Sequence, residues 1–274
     1  MYQEYYTIFD KHLKISPAQF LTEIINDGNL NRLVTDFQVL PLKDKIQQCY
    51  FTSMGVKLGR ALEDIIQLYL TKKGANFNLD RRKVVEGHDC DQIFTFGDKT
   101  ILIEQKIRDD HDSSKKRGQV ENYLKKREVL LENFSNVFCC SWFVDNTFKK
   151  NIKYYIIELK DEVCYGKEIE NFLLKVFEDD RCSGMYSEII SIFKNYRQTY
   201  NKIDIFSNLQ LDYCQLQPKG IWELLIALKD NPDLETILFS KGLDKVQLLK
   251  YLRGKRSSEY TKKAIVFLEE EYGK

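Results

Sequence analysis

The chain is short of residues and patterns that several protein classes require. Among 274 residues there are only three histidines, His12, His88 and His111, a thin supply for a histidine-based hydrolase or a His-rich metal site. Seven cysteines, Cys49, Cys90, Cys139, Cys140, Cys164, Cys182 and Cys214, are scattered without C-x-x-C spacing. That pattern argues against both a zinc site and a disulfide framework. No motif of a Cys or Ser triad accompanies them. No apolar run approaches the ~20 residues needed to cross a bilayer, and Met1 to Tyr6 lack the charged-then-apolar order of a signal peptide. The expected location is cytoplasmic, with no membrane partner. No G-x-x-x-x-G-K-[ST] sequence occurs, which argues against a self-contained motor. Net charge is nearly absent too: 42 Lys and Arg balance 41 Asp and Glu, so any preference for a polyanion has to arise from local clustering.

What is present is globular. Hydrophobic residues at 43% and aromatics at 13% supply a substantial core, against 30% charged residues, a balance that excludes disorder as the default. The most informative stretch runs from Gly87 to Lys106. Two apolar runs, Ile93 to Phe96 and Thr100 to Ile103, flank Gly97-Asp98, and glycine at the first central position of a two-residue loop suits a tight hairpin. This loop sets the register: Phe96 faces Lys99, Ile93 faces Leu102, Asp91 faces Glu104, and Lys106 faces Asp89. Because side chains alternate along strands, Asp89, Asp91, Glu104 and Lys106 share one face, and Phe94, Phe96, Ile101 and Ile103 the other.

Opposed carboxylates have Cβ atoms ~5 Å apart and destabilise a sheet unless something compensates. A divalent cation does so, and Mg²⁺, with Mn²⁺ as a substitute, takes one or two carboxylates together with water and substrate phosphate. Lys106 is then placed to hold a water or a developing phosphate charge. Asp89 shares the face, but Asp91 is preferred as the ligand because Ile93 to Phe96 follow at once and set it at the sheet end.

A second signal follows the hairpin. Asp112 or Ser113 suits an N-cap, and Val120, Tyr123, Leu124, Leu130 and Leu131 continue a helix. Lys115, Lys116 and Arg117 fall in its first turn, where the helix dipole disfavours cations. A bound anion resolves the conflict, so these three residues are expected to anchor a nucleic-acid backbone. Gln119 on the same helix is a weaker candidate, for contacting DNA or orienting a water. Lys149, Lys150 and Lys153 either solubilise a loop, the favoured reading, or touch phosphate.

The Asp91, Glu104-x-Lys106 pattern resembles the signature of the PD-(D/E)XK nuclease superfamily, with Cys90 where the family's proline precedes the aspartate. The resemblance covers about residues 55–160, and the whole chain looks most like a stand-alone type II restriction endonuclease. It implies an α/β fold, a mixed β-sheet core flanked by helices, with Asp91, Glu104 and Lys106 as catalytic residues. The metal would be held by Asp91, Glu104 and the Ile103 carbonyl. Glu63, in Gly59-Arg60-Ala61-Leu62-Glu63, is either an exposed helix residue or the extra acidic ligand that many members supply from a helix before the hairpin. The resemblance also implies hydrolysis of double-stranded DNA with 5′-phosphate ends and a cognate DNA methyltransferase as system partner. Cutting both strands favours a homodimer and a palindromic target. Two alternatives are a nuclease without sequence specificity, serving repair or a mobile element, and a non-catalytic DNA-binding protein.

Hydrophobic periodicity predicts helices over residues 1 to about 50, with Phe20, Ile24 and Ile25 in one stretch and Leu30, Leu33, Val34 and Phe37 in the next, then another helix over Val56 to Leu70. Val137–Val144 and Tyr154–Leu159 read as strands, and Glu168–Phe177 and Tyr186–Tyr196 as helices. From about Asn201 the character changes to helical patterns over Gly220–Leu228, Leu234–Leu252 and Ser257–Glu271. The expected organisation is a nuclease domain over 1–200, N-terminal helices included, and a helical C-terminal subdomain over 201–274. The basic residues from Lys250 to Lys263 contribute DNA contacts there, or the subdomain serves equally as a cap or dimerisation element.

Overall fold

A two-residue turn sets the geometry of the sheet. In the computed structural model, which describes residues 2–30, 33, 40–80, 87, 89–109, 112–199, 210–239 and 242–272, Gly97 takes φ +58°, a conformation that glycine adopts without the Cβ penalty. It joins β1 (Gln92–Phe96) to β2 (Lys99–Lys106). The antiparallel pairs run from Phe96 with Lys99 to Gln92 with Ile103, the register expected from the turn. Strand β2 then pairs parallel with β3 (Val137–Phe143), and β3 parallel with β4 (Val163–Tyr165), giving a mixed sheet in the order β1-β2-β3-β4.

Helices flank this sheet, as expected for a restriction-endonuclease-like α/β fold. The described helices are α1 (Gln3–Leu13), α2 (Pro17–Asn26), α3 (Leu42–Lys72), α4 (Ser113–Asn133), α5 (Ile152–Leu159), α6 (Ile169–Phe177), α7 (Met185–Thr199), α8 (Pro218–Asp230), α9 (Asp233–Leu238), α10 (Lys245–Arg253) and α11 (Glu259–Tyr272). On one face Phe94, Ile101, Ile103 and Trp142 pack with Leu62 and Ile66 of α3, Leu173 and Val176 of α6 and Ile189 of α7. On the other, Ile93 and Leu102 pack with Val120, Tyr123 and Leu130 of α4 and with Tyr155 and Leu159 of α5. Burial on both faces explains why β2 reads as a near-continuous apolar run, since each such side chain contributes roughly 1.5–3 kcal/mol when fully buried.

Several expected elements differ. Tyr154–Leu159 belongs to helix α5 and is not a strand: Tyr155 and Leu159 are buried four residues apart, whereas Ile156 and Ile157 are 50% and 72% exposed. A helix satisfies that spacing and a strand does not. The strand that follows β3 is the short β4. Leu234–Leu252 is two helices, α9 and α10, with Gly242 at φ +76° between them. The Val56–Leu70 helix is the latter part of the longer α3. Leu30 and Leu33 are buried, while Val34 and Phe37 lie outside the described residues.

The chain divides into two compact units, residues 1–12 with 58–201, and 13–57 with 202–274. Leu13–Lys57 therefore falls with the C-terminal helices, where the sequence had set it with the nuclease domain. The reason is its apolar face: Phe20, Leu21, Ile24 and Ile25 of α2 and Ile46 and Tyr50 of α3 share one core with Leu224, Leu225, Leu248, Leu252 and Leu268. Helices α2 and α8 approach closely at Gly220, where a Cβ would stand 2.9 Å from Asn26 Oδ1 and 3.3 Å from the Ile25 carbonyl. Among the described residues no helix is long and apolar enough to cross a membrane.

Candidate active site

The hairpin brings its acids together. One step beyond the last β1–β2 pair, the Asp91 N–H donates to Glu104 Oε1 at 3.4 Å, and the Gln105 N–H donates to Asp91 Oδ2 at 2.8 Å. Lys106 Nζ donates to the same Asp91 oxygen at 2.9 Å and to the Gln105 carbonyl at 3.0 Å. The register alone set Lys106 against Asp89. Strand β1 begins only at Gln92, so the ladder stops short of Asp89, and the long lysine side chain reaches diagonally to Asp91. Asp89 is exposed.

Helix α4 adds a residue that the sequence reading missed. Lys126 Nζ donates to Glu104 Oε1 at 2.6 Å. Its side chain is 8% exposed, against 35% for Lys106, so Lys126 stands behind the carboxylate while Lys106 has access to solvent. A signal for it existed: Lys126 lies three residues after Tyr123 and four before Leu130, on the stripe that α4 turns to the sheet. A charge on such a stripe needs a buried partner.

The charges at this end of the sheet act directly on one another. Burial, and next the charge of Asp91, push the Glu104 carboxyl above its usual pKa, with Lys126 and Lys106 opposing. Burial works against the Lys106 ammonium, but Asp91 and Glu104 outweigh it and hold its pKa above the ordinary lysine value. Glu63 of α3 is close enough to Lys106 to add to that rise. Its carbonyl accepts a hydrogen bond from Gln92 Nε2 at 2.8 Å, which ties the helix to the hairpin. Ile103 is buried in mid-strand, its backbone in register with Gln92 on one side and Cys140 on the other.

Both hydrogen bonds that the Glu104 side chain accepts fall on Oε1, and both that the Asp91 side chain accepts fall on Oδ2. Each carboxylate thus keeps a second oxygen outside this set. Among the described residues no group of three or more His, Cys, Asp or Glu is arranged to hold a metal. Two hard carboxylates suffice for Mg²⁺, which commonly retains several waters and binds through one or two carboxylates. The donor set fits that ion.

The basic turn is placed differently. Asp112 is the N-cap of α4, accepting from the Lys115 N–H at 2.9 Å, so a carboxylate already meets the positive end of the helix. Lys115 and Arg117 are exposed, and Lys116 lies 4.7 Å over the Tyr154 ring. Lys115 precedes Lys126 by eleven residues, about 16 Å along a helix, so the basic turn flanks the acids and does not touch them. Gln119 Oε1 accepts from the Tyr155 hydroxyl at 2.8 Å, an anchor between α4 and α5. The lysine loop is held too: the backbones of Asp109 and Lys149 form a parallel β-bridge, and the buried Asp109 carboxylate accepts from the Asn151 N–H at 2.7 Å, Asn151 Nδ2 at 2.8 Å and the Tyr165 hydroxyl at 3.2 Å.

Comparison with known proteins agrees with this architecture. Neither curated proteins nor solved structures give a match. Residues 75–197 match the family model described as "Type II restriction endonuclease, HinfI", a stretch that contains the hairpin, the whole sheet and α4 to α6. This similarity is consistent with a type II restriction endonuclease of the PD-(D/E)XK kind, as the hairpin's resemblance implied.

Proposed function

We propose that the chain is a site-specific deoxyribonuclease that hydrolyses double-stranded DNA with Mg²⁺ and leaves 5′-phosphate and 3′-hydroxyl ends. The observation that carries this reading is the meeting of Asp91 and Glu104 at the open end of the hairpin, with Lys106 against Asp91. Asp91 and Glu104 are the residues that hold the cation, with Glu63 near enough to act on the same charge. The Ile103 carbonyl lies next to Glu104, but its backbone is within the sheet, so the carboxylates carry the proposal. When bound, Mg²⁺ polarises the scissile phosphodiester and lowers the pKa of a water.

The remaining chemistry belongs to the chain. The Lys106 side chain is part-exposed, and its raised pKa keeps it a cation that stabilises the charge developing on the phosphoryl oxygens. Asp91 holds Lys106 by its side chain and, through the Gln105 N–H, fixes its own orientation. Lys115, Lys116 and Arg117 bind the DNA backbone to one side of the cut, a contact that positions without reading sequence. A homodimer cuts both strands of a near-palindromic site, and a methyltransferase of matching specificity protects host DNA.

Separate Asp91→Ala, Glu104→Ala and Lys106→Ala variants test this reading. Each should lose cleavage while keeping most of its DNA affinity; full cleavage by all three, purified and folded, rules the mechanism out.

A further inference from the structure

Lys126 is the buried charge at the site to which the nuclease reading gives no task. It lies between Tyr123 and Leu130 on the sheet-facing stripe of α4, with Glu104 as its buried partner. Replacing the whole pair by apolar residues would cost little net stability, because desolvation offsets the attraction, whereas removing Lys126 alone would strand the Glu104 carboxylate. What the pairing does achieve is geometric. Lys126 Nζ and the Asp91 N–H converge on the same atom, Glu104 Oε1, and so select one orientation of the carboxylate.

We propose that Lys126 is a positioning residue, which fixes Glu104 by Oε1 so that Oε2 is the oxygen offered to a divalent cation. The proposal rests on the nuclease reading for the identity of the reaction, but not for cation binding itself. Lys126 does not touch substrate; its low exposure keeps it behind Glu104, whereas Lys106 faces outward. A residue that orients a metal ligand from behind in this way changes metal affinity or activity by about 10-fold or more when removed.

The test uses the full chain and Mn²⁺ as the probe, with free Mn²⁺ counted by electron paramagnetic resonance, alongside cleavage kinetics and DNA binding in EDTA. Lys126→Met should weaken Mn²⁺ binding and lower kcat by about 10-fold each, with KM and metal-free DNA binding within about twofold. Lys126→Arg, which keeps a donor for Oε1, should return Mn²⁺ binding to within about threefold of the parent. A purely structural lysine would lower stability and leave Mn²⁺ affinity per folded molecule unchanged. That result overturns the proposal, as does tighter Mn²⁺ binding in Lys126→Met, which would make Lys126 a competitor for Glu104. If the Met variant does not fold, Lys126→Ala, which also removes the donor to Oε1, decides: Mn²⁺ binding about 10-fold weaker per folded molecule supports the proposal, and unchanged binding overturns it. If the parent binds Mn²⁺ in a Lys126-dependent way but leaves DNA intact, the nuclease reading fails and the positioning role stands. If the parent cleaves DNA and Lys126→Met matches it in both readouts, the positioning role fails alone.

Discussion

Asp109→Asn offers a sharp test of how the lysine loop is held beside the sheet. Asp109 is fully buried and its carboxylate accepts from two donors of Asn151 and from the Tyr165 hydroxyl. The substitution keeps the shape but turns one accepting oxygen into an NH₂ group. On the Oδ2 side that group meets the Asn151 backbone N–H, which cannot turn away, and on the Oδ1 side it meets Asn151 Nδ2 unless that amide turns over. A hydrogen bond to a charged group is worth about 1.5–3 kcal/mol, and stranding a buried donor costs about 1–3 kcal/mol more, so a loss of about 3 kcal/mol is expected after partial relaxation. The chain has two tryptophans: Trp142, buried in β3 with its indole N–H on the Gly166 carbonyl at 2.9 Å, and Trp222 in the other unit. In a Trp222→Phe background, Trp142 fluorescence reports the first unit alone during urea unfolding. With an m-value of about 2 kcal/mol/M, the midpoint should fall by about 1.5 M. A fall below about 0.3 M would refute the idea that this buried carboxylate organises the loop.

Replacing Lys115, Lys116 and Arg117 together by Ala should weaken DNA binding across sequences and reduce the slope of log K against log salt by up to about 0.9 for each phosphate no longer neutralised; an unchanged slope in a binding titration counts against their backbone role. The raised pKa of Glu104, due to burial and then to Asp91, has a definite sign. Such a group stabilises the fold below its unfolded-state pKa, and that contribution is lost as pH rises through the higher folded-state value. The same proton blocks cation binding. At sub-saturating Mg²⁺, where the limb reports the metal-free carboxyl, cleavage should therefore fall on the acid side through a limb above the ordinary glutamate pKa of about 4.3, and a pH–rate profile under those conditions with that limb at or below the ordinary value contradicts the assignment of Glu104.

Much of this arrangement is legible from residue order because it depends on local rules. Gly97 between two apolar runs fixes a hairpin, and the hairpin fixes that Asp91 meets Glu104. Asp112 before a patterned run fixes the start of α4. What is not legible depends on tertiary packing. Lys106 reaches Asp91 diagonally because β1 starts late, which a pairing rule does not encode. Tyr154–Leu159 is rich in aromatic and β-branched residues and suits a strand by composition, yet only one of its sides is covered, so it coils. Leu13–Lys57 joins the C-terminal helices because their cores match, a choice made between segments distant in sequence. Lys126 escapes notice because it sits among Lys125, Arg127 and Glu128, where the charge looks like a solvated face. Its burial follows from α4 lying over Ile93 and Leu102.

The central claim is metal-dependent, site-specific hydrolysis of DNA by the Asp91–Glu104 site. The measurement that addresses it most directly is digestion of a long, sequenced, unmethylated DNA by the purified chain in Mg²⁺, with EDTA and Glu104→Ala controls and the fragment ends sequenced. The account predicts discrete fragments that share one end sequence, carry 5′-phosphates, and are missing from both controls. DNA left intact under all divalent metals, or cut equally well by Glu104→Ala, would contradict it.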